Sequence, residues 1–413
     1  MNNNWKKYKL DEIADYINRG VSPSYSDRGV PVINQKCIRD GKILRNDIKF
    51  HDLEKRKVAE EKYLKSYDIL ICSTGTGTLG RVGQIKNVDS NQICDSHVTI
   101  VRPGVLTDEK FLGWQLKLLQ PVIEALAEGS TGQTELGRDK VKNLDIILPP
   151  LPEQKAIAEI LSALDDKIEL NLQTNKTLED MANALYKHWF VDFGPFKNGE
   201  FVESELGMIP VGWEVKKIGE VFKTTSGGTP SRSKMEYYKN GIIQWVKSKE
   251  LNGSFIIDTE ERITDVALKN SSAKILPPKT VLLAMYGATV GEIGIISNEA
   301  TCNQAICAII SSELSYTYIF QYLKNNKQNI LNNAVGSAQQ NISQEIIKDF
   351  PIIVPNITQV KEVMYKCELF FEQVELNVIE NLHLKQTRDY LLPKLISGEI
   401  RVKEAIKKVK DLV

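Results

Sequence analysis

The sequence of 413 residues has few of the features that build metal centres, disulfide frameworks or membrane spans. Its six cysteines never stand in a Cys-x-x-Cys spacing, so we expect reduced packing residues rather than disulfides or zinc ligands. The four histidines have no partner at metal-ligand spacing. No run approaches the roughly 18 apolar residues of a membrane helix, and the first residues form no apolar signal core. The sequence therefore predicts a globular protein of the cytoplasm with no membrane partner and no metal of its own.

An excess of charge of one sign is also absent, because 53 lysines and arginines balance 53 aspartates and glutamates. This balance counts mildly against a free-standing nucleic-acid binder, which needs a basic surface for phosphates, but it leaves local basic faces open. The sequence also lacks the Asn/Asp-Pro-Pro-aromatic motif of amino-methyltransferases, since Leu148-Pro-Pro-Leu and Leu276-Pro-Pro-Lys have no polar residue at its start. No other group of residues forms a catalytic constellation, and we expect no enzyme.

What the sequence does contain is a long internal repeat. The Trp5-Lys-Lys-Tyr-Lys-Leu-Asp-Glu-Ile segment returns as Trp213-Glu-Val-Lys-Lys-Ile-Gly-Glu-Val, at an offset of roughly 208 residues. Later landmarks recur at nearly the same offset, namely Cys94-Asp95 with Cys302-Asn303, Gly129-Ser130 with Gly336-Ser337, and Leu148-Pro149 with Val354-Pro355. This period is far longer than that of a solenoid or propeller, so it indicates a duplicated unit of one globular domain followed by one helix.

The repeat divides the chain into six predicted segments. The globular segments, 1–150 and 213–355, contain short alternating stretches bounded by Gly, Ser and Asn, which are typical of strands, together with one main helix each, at about 108–126 and 315–331. A long helix follows each of them, at 151–193 and 356–394. We expect 194–212, dense in Gly and Pro, to be a linker and 395–413 to be a tail. The predicted fold class is α+β, with two similar domains and approximate two-fold symmetry.

Both long helices have one apolar stripe at heptad spacing. In the first, the stripe includes Ile157, Leu161, Leu164 and Ile168 and continues to Trp189, and in the second it extends from Val360 to Leu392. Because each repeat supplies one such helix, we expect the two to pair as an antiparallel coiled coil. Asn171 and Asn175 lie on the first stripe; they either fix the register, as buried polar residues do in coiled coils, or mark local fraying around solvated side chains.

The segment Gly75-Thr-Gly77-Thr-Leu-Gly80 matches the G-x-G-x-x-G pattern of dinucleotide-binding sites, which makes a nucleotide-binding enzyme one alternative. The residues after it alternate like a strand instead of opening a helix, and the second copy, Tyr286-Gly287-Ala-Thr-Val-Gly291, loses the pattern. A tight turn between two strands is the better interpretation. A β-hairpin at this position would exclude the alternative.

Polar loops recur in both copies and have the chemistry of DNA contacts. Hydroxyls and amides suit phosphates and base edges, and nearby lysines and arginines suit phosphates, although plain turn chemistry explains polar loops equally well. The candidate DNA-binding residues of the first copy are Gln35, Lys36, Thr74, Thr76, Arg81, Ser130, Thr131, Gln133 and Thr134. Those of the second copy are Arg232, Lys247, Lys249, Tyr286, Thr289, Gln339, Gln340 and Asn341.

Four longer segments carry a resemblance to a known family. These are Val30-Pro-Val-Ile-Asn-Gln-Lys-Cys-Ile-Arg, Pro149-Pro-Leu-Pro-Glu-Gln-Lys, Ala184-Leu-Tyr-Lys-His-Trp-Phe-Val-Asp-Phe193 and Leu391-Leu-Pro-Lys-Leu-Ile-Ser-Gly-Glu-Ile400. Over essentially the whole chain the sequence resembles the specificity subunit of type I restriction-modification systems. The second helix departs from the family pattern at its start, where Thr358-Gln-Val-Lys replaces Pro152-Glu-Gln-Lys, and we expect Thr358 to serve as the N-cap.

The resemblance implies a non-catalytic DNA-recognition subunit. It implies two target-recognition domains, each recognising one half of a bipartite site in double-stranded DNA. The two helices would set the spacing and dock the modification (methyltransferase) subunits, two in number, with residues 186–193 as part of the partner surface. Restriction subunits would join through the complex, and S-adenosylmethionine, ATP and Mg²⁺ would be bound by those partner subunits rather than by this chain. A coiled-coil scaffold that does not bind DNA stays as the second alternative.

Overall fold

A computed structural model describes residues 4–88, 90–128, 134–332 and 341–410 of the chain. The chain divides into two compact units. Unit 1 consists of Met1–Ile168 and His383–Val413, and unit 2 of Glu169–Leu382. The two long helices, Leu151–Tyr186 and Ile357–Ile396, each contribute one end to each unit.

Unit 1 contains two four-stranded sheets and two short strand pairs. The first sheet has the order Ile93–Cys94, Val30–Ile33, Lys49–His51, Tyr25–Ser26, and the second Ala14–Arg19, Val98–Pro103, Ile69–Cys72, Val82–Gln84. The pairs join Lys6–Lys9 to Asp145–Leu148 and Ile38–Arg39 to Lys42–Ile43. The helices that lie wholly within this unit are Leu10–Ile13, Glu109–Leu118, Gln120–Ala125, Arg138–Lys142 and Val402–Lys410.

Unit 2 repeats this plan with a five-stranded and a three-stranded sheet. The larger has the order Lys223–Ser226, Ile306–Ile310, Val281–Ala284, Ile293–Ile296, Phe255–Ile256, and the smaller Arg262–Ile263, Ile243–Val246, Thr301–Cys302. Two further pairs join Glu214–Lys217 to Pro351–Val354 and Phe201–Ser204 to Gly207–Pro210. The helices that lie wholly within unit 2 are Ile218–Val221, Asp265–Lys269, Tyr316–Asn325, Lys327–Asn332 and Gln344–Asp349. The predicted α+β repeat is confirmed.

One inner strand of the second sheet of unit 1, and one of the larger sheet of unit 2, is apolar without alternation because both of its faces are covered. Successive side chains of a strand point to opposite faces, and in Ile69–Cys72 the two isoleucines enter one apolar cluster while Leu70 and Cys72 enter another. Val281–Ala284 divides in the same way, with Val281 and Leu283 in one cluster and the other two residues in a second. The equivalent strands of the two units therefore have the same buried, apolar character, and equivalent loops follow them.

The two predicted domain helices are each broken in the middle. The first ends at Leu118 and resumes at Gln120, beside Pro121, which has no N–H to continue the helical hydrogen bonding. The second is interrupted at Asn326, whose side-chain amide donates to the Tyr322 carbonyl at 3.0 Å. The stretch 194–212 has secondary structure of its own, a hairpin whose Ile209 lies in the core of unit 2.

Within unit 2 the two long helices run antiparallel, as predicted. Asn171 donates to Asn381 at 3.0 Å and Asn377 donates to Asn175 at 2.7 Å. The later residue of the first helix therefore pairs with the earlier residue of the second, as antiparallel helices require. All four asparagines are buried, which favours the register interpretation over fraying. Within unit 1, Asp165 of the first helix pairs with Arg388 of the second.

The opening tryptophan of each repeat fastens to the start of the following long helix. Trp5 Nε1 donates to Glu153 at 3.2 Å in unit 1, and Trp213 Nε1 donates to Gln359 at 3.0 Å in unit 2. The second long helix is capped by Asn356, whose Oδ1 accepts the Thr358 N–H at 3.1 Å, so the prediction of Thr358 as the N-cap was wrong by two positions.

Two residues of the predicted partner surface at 186–193 lie in the interior instead. Tyr186 and Phe190 are 4% and 5% exposed, and they pack against Tyr318 with ring centroids 5.8 and 4.9 Å away. Aromatic side chains of this size stabilise a core strongly when they pack edge to face. Their spacing on the helix therefore reflects the core of unit 2, and this part of the partner-surface prediction was wrong.

Candidate nucleic-acid interface

In unit 1 the candidate residues meet at one end of the sheets, which we call the first loop cluster and define as residues 34–37, 73–81, 95–97 and 134–136. Gln35 and Lys36 lie in a short 3-10 turn directly after the strand Val30–Ile33, and the Asn34 side chain caps this turn by accepting the Lys36 N–H at 2.9 Å. The chain that resumes at Thr134 is fixed beside them, because the Leu136 N–H donates to the Ser73 carbonyl at 2.8 Å.

The glycine-rich segment is the turn of a β-hairpin. The strand Ile69–Cys72 before it pairs antiparallel with Val82–Gln84 after it. Gly75, Gly77 and Gly80 all have positive φ, a backbone conformation that other residues adopt rarely. A dinucleotide-binding loop needs a parallel strand-helix-strand unit at this place, so the hairpin excludes the nucleotide-enzyme alternative.

A hydrogen-bonded chain of side chains connects three segments of the first loop cluster. Gln35 Nε2 donates to Thr74 Oγ1 at 2.7 Å, and the same hydroxyl lies 2.8 Å from His97 Nδ1. Thr78 Oγ1 donates to Gln35 Oε1 at 3.3 Å and so holds the other side of the amide. The exposed His97 was not among the predicted residues, although it lies only two residues after the recurring Cys94-Asp95 landmark.

The other candidates of the first copy differ in their accessibility. Lys36, Thr76 and Thr134 are exposed. Arg81 is half-buried and its guanidinium donates to the Ile38 carbonyl at 3.3 Å, so it also holds the backbone next to the Gln35 turn. Ser130, Thr131 and Gln133 lie outside the described residues, as do Gly129 and Ser130 of the repeat landmark.

Unit 2 builds an equivalent surface, the second loop cluster, from residues 247–250, 285–292, 303–305 and 341–342. Tyr286 occupies the place of Thr74, and its hydroxyl donates to the Gln304 carbonyl at 2.7 Å. Ile342 donates its N–H to the Met285 carbonyl at 2.8 Å, which brings the exposed Asn341 next to Tyr286. Thr289 is half-buried in the same turn. Gln339 and Gln340 lie outside the described residues.

The three candidate cations of unit 2 already have acidic partners. Arg232 pairs with Glu261, Lys249 with Glu260 at 2.7 Å, and Lys247 with both carboxylates at 2.8 and 2.9 Å. The hydrogen bond from Arg232, followed by that from Lys247, lowers the pKa of Glu261 to about 2. The Arg232 guanidinium also lies over the rings of Tyr238 and Trp245, 4.4 and 4.9 Å from their centroids. The sequence alone did not identify Glu260 and Glu261 as the acidic partners of these cations.

Three further observations concern features that the sequence disfavoured. All six cysteines are free and buried, which confirms their role as packing residues, and burial raises the pKa of the Cys72, Cys302 and Cys307 thiols to about 12. Among the described residues, no group of three or more histidines, cysteines or acids could hold a metal ion. No helix in the described ranges is long and apolar enough to cross a membrane.

With two equivalent loop clusters on a duplicated fold, the molecule has the plan of a two-domain recognition protein. The family model described as the type I restriction modification DNA specificity domain matches residues 2–180 and again residues 210–380. The chain belongs to this family and contains two copies of its domain.

Among curated proteins, the chain is 31% identical over 357 residues to the type I restriction enzyme MjaIX specificity subunit of Methanocaldococcus jannaschii, covering 83% of this chain and 82% of that one. It is 28% identical over 471 residues to the HindI specificity subunit of Haemophilus influenzae, covering 96% and 99%. Among solved structures, it is similar to the type I restriction-modification S subunit from M. genitalium, with a TM-score of 0.63, 18% identity and coverage of 96% and 97%. This last likeness concerns the fold.

Proposed function

We propose that the chain is the DNA-specificity subunit of a type I restriction-modification complex, in which each loop cluster recognises one half of a bipartite site in double-stranded DNA. The observation that carries the proposal is that the same surface is built twice with different side chains. Thr74 and Tyr286 follow equivalent strands, yet one offers a small hydroxyl and the other a large phenol. Equivalent frames with different contact groups are what two different half-sites require.

Within the loop clusters and beside them, the candidate residues divide by the DNA group they suit. Lys36, Lys249 and the guanidinium of Arg232 suit phosphates, and the amide of Asn341 suits a base edge. Gln35 and Thr74 hold each other at 2.7 Å and so present a fixed polar surface to the groove. The neutral overall charge fits a subunit whose phosphate-binding surface is shared with its partners.

The subunit itself is proposed to be non-catalytic. Methyl transfer from S-adenosylmethionine and ATP-driven, Mg²⁺-dependent cleavage would belong to the modification and restriction subunits. Two modification subunits would dock on the long helices, and the restriction subunits would join through them. Since cellular DNA in a restriction system is met in the cytoplasm, we place the assembled complex there.

An exposed apolar stripe on the second long helix supports the docking of a modification subunit. Tyr365, Leu369 and Leu376 lie on one face of this helix and are 60%, 43% and 59% exposed. Leu170, at the equivalent position to Leu376 on the first long helix, is 57% exposed as well. Exposed apolar rows on a helix are typical of protein interfaces. Leu170 marks the corresponding place on the first helix, where a second copy of the same partner would dock.

The experiment that tests the proposal exchanges residues 213–355 for the equivalent domain of a relative. The chimera and the unaltered chain are each assembled with the modification subunits, and the methylated sites are sequenced across a genome. We expect one half of the bipartite site to change and the other half to persist. If both halves stay unchanged while the chimera assembles normally, the loops are inert and the chain is a scaffold.

A further inference from the structure

The turn that follows the recurring cysteine landmark has the same construction in both units. In unit 1 the Asp95 side chain accepts the His97 N–H at 3.0 Å, and in unit 2 the Asn303 side chain accepts the Ala305 N–H at 3.2 Å. This local hydrogen bond fixes the backbone of a three-residue turn. We call the two segments, 95–97 and 303–305, the landmark turns.

A glycine packs against each landmark turn and holds it from behind. A Cβ on Gly20 would lie 2.2 Å from the carbonyl oxygens of Cys94 and Asp95. A Cβ on Gly227 would lie 2.2 and 2.3 Å from those of Cys302 and Asn303. No side chain fits at such distances, so the backbone of each landmark turn is in close contact with a preceding loop. The turns are fixed parts of the loop clusters.

In unit 1 the landmark turn presents the exposed ring of His97, and the hydrogen bonds behind the ring fix its direction. Thr78 donates to Gln35 Oε1, so the amide nitrogen of Gln35 donates to Thr74. The Thr74 hydroxyl accepts that N–H on one lone pair and lies 2.8 Å from His97 Nδ1. In the tautomer in which Nδ1 accepts the Thr74 hydroxyl proton, the ring proton of a neutral His97 is on Nε2, which has no partner among the described residues.

In unit 2 the landmark turn presents the exposed side chain of Gln304, whose other groups are held in place. Its backbone carbonyl accepts the Tyr286 hydroxyl at 2.7 Å, and its Oε1 accepts the hydroxyl of Thr229. Both protons of its Nε2 are left without a partner in the described ranges. Each landmark turn therefore carries one exposed neutral N–H donor that is supported by hydrogen bonds, on the third residue in unit 1 and on the second residue in unit 2.

We propose that His97 and Gln304 are specificity-determining residues, each donating a hydrogen bond to a base in one half-site, at an acceptor such as purine N7 or guanine O6 in the major groove. The inference rests on the proposed function, which it deepens. A donor whose direction is fixed from behind selects an acceptor by position, whereas phosphates are served by the flexible cations nearby. Gln35 and Thr74 act in this scheme as positioning residues for His97.

The test assembles the full-length chain with the modification subunits and sequences methylated sites for His97→Ala and Gln304→Ala. We expect each variant to lose discrimination at one base pair of one half-site, by about 5- to 150-fold, because one mismatched base pair costs about 1–3 kcal/mol. The other half-site keeps its sequence. The exposed Gln304→Glu variant, which replaces the donor with an acceptor, should reject the preferred base at the same position. Val105→Ala, exposed in the loop beyond the opposite end of the strand Val98–Pro103, is the control and keeps full specificity.

A separate experiment tests whether Thr74 positions His97. Thr74→Val removes the hydroxyl behind His97 and should relax the same base pair as His97→Ala, and the double variant should be no worse than either single one. Thermal melting of each variant checks folding. A uniform loss of methylation with unchanged sequence preference would mean a phosphate contact and overturn the inference, as would unchanged methylation. If the unaltered chain directs methylation to no bipartite site, the proposed function itself fails.

Discussion

Asn377 donates its side-chain amide to Asn175 Oδ1 at 2.7 Å between the two long helices of unit 2, and each side chain is 6% exposed. The bond has a counterpart, since Asn171 donates to Asn381 and the four residues occupy equivalent places on the two helices. If each residue is replaced by its equivalent on the other helix, one hydrogen-bonded pair becomes the other. A buried polar pair of this kind tolerates one alignment of the helices, because a slip leaves amides without partners among apolar side chains.

Asn377→Ala should lower the free energy of unfolding by about 1–3 kcal/mol, because Asn175 Oδ1 loses its donor in a buried place. Urea denaturation of the full chain measures the change. The control is Lys176→Ala, on the exposed side of the same helix pair. Equal stability of the two variants would contradict a register role. Replacing Asn175 and Asn377 together by leucine should restore the stability, since no unpaired polar group is then buried.

Leu369→Glu should weaken assembly with the modification subunit by roughly 10- to 100-fold, because a charge would enter the middle of the exposed apolar stripe. Titration of the purified partner, followed by native mass spectrometry, measures the affinity. Lys385→Glu, exposed on the opposite side of the same helix, should assemble like the unaltered chain. Unchanged assembly of Leu369→Glu would place the partner elsewhere.

Glu261→Gln should increase DNA affinity by about fivefold at low salt. The carboxylate competes with DNA phosphates for Arg232 and Lys247, and one unit charge at about 4 Å is worth about 1 kcal/mol in water. Fluorescence anisotropy at several salt concentrations measures the affinity, and the gain should shrink as salt rises. Glu236→Gln removes an equal charge from an exposed place and is the control. A loss of affinity would show that the cations of this site do not face the DNA.

The same carboxylate predicts a pH dependence of stability. Hydrogen bonds from Arg232 and then Lys247 hold the pKa of Glu261 at about 2, below its usual range, so the ionised form is favoured in the folded state. Its contribution is therefore complete above the usual glutamate pKa and is lost as the pH falls towards 2. The stability difference between the unaltered chain and Glu261→Gln should be constant from pH 8 to about 5 and shrink below that. A difference that grows on acidification would refute this assignment.

Gly20→Ala should destabilise unit 1 by about 1–3 kcal/mol or more, because the new methyl group would overlap the carbonyl oxygens of Cys94 and Asp95. Gly137→Ala is the matched control, since its Cβ meets nothing nearer than the Lys140 Cγ at 3.9 Å. Thermal melting distinguishes them. Similar melting temperatures would mean that the first landmark turn can shift without cost.

Much of the fold could be predicted from patterns close together in the sequence. The apolar run at Ile69–Cys72 predicted a strand, and the alternation after Gly80 predicted a hairpin rather than a nucleotide loop; both are confirmed. The helix at 108–126 was predicted as one element, and Pro121 was the overlooked signal for its break. These features depend on backbone geometry over a few residues, which the local sequence specifies.

Local sequence patterns predicted the candidate interface less completely than they predicted the fold. Loop chemistry located Gln35 and Thr74, which the structure brings within hydrogen-bonding distance, but it did not reveal His97 as their third partner. Lys247 was proposed as a DNA contact from its charge, whereas Glu260 and Glu261 already neutralise it. The spacing of residues along the sequence does not show that a lysine will pair with acidic residues of another loop.

The sequence by itself determined that this protein has two similar domains and two long helices with apolar seams. These properties are expressed in spacing and composition, which the hydrophobic effect and backbone geometry convert directly into strands, hairpins and helices. The tertiary structure decided which polar groups meet. It buried Tyr186 and Phe190, paired Arg232 with Glu261, and directed His97 outward, because hydrogen bonds and ion pairs depend on distances of a few ångströms between segments remote in the chain.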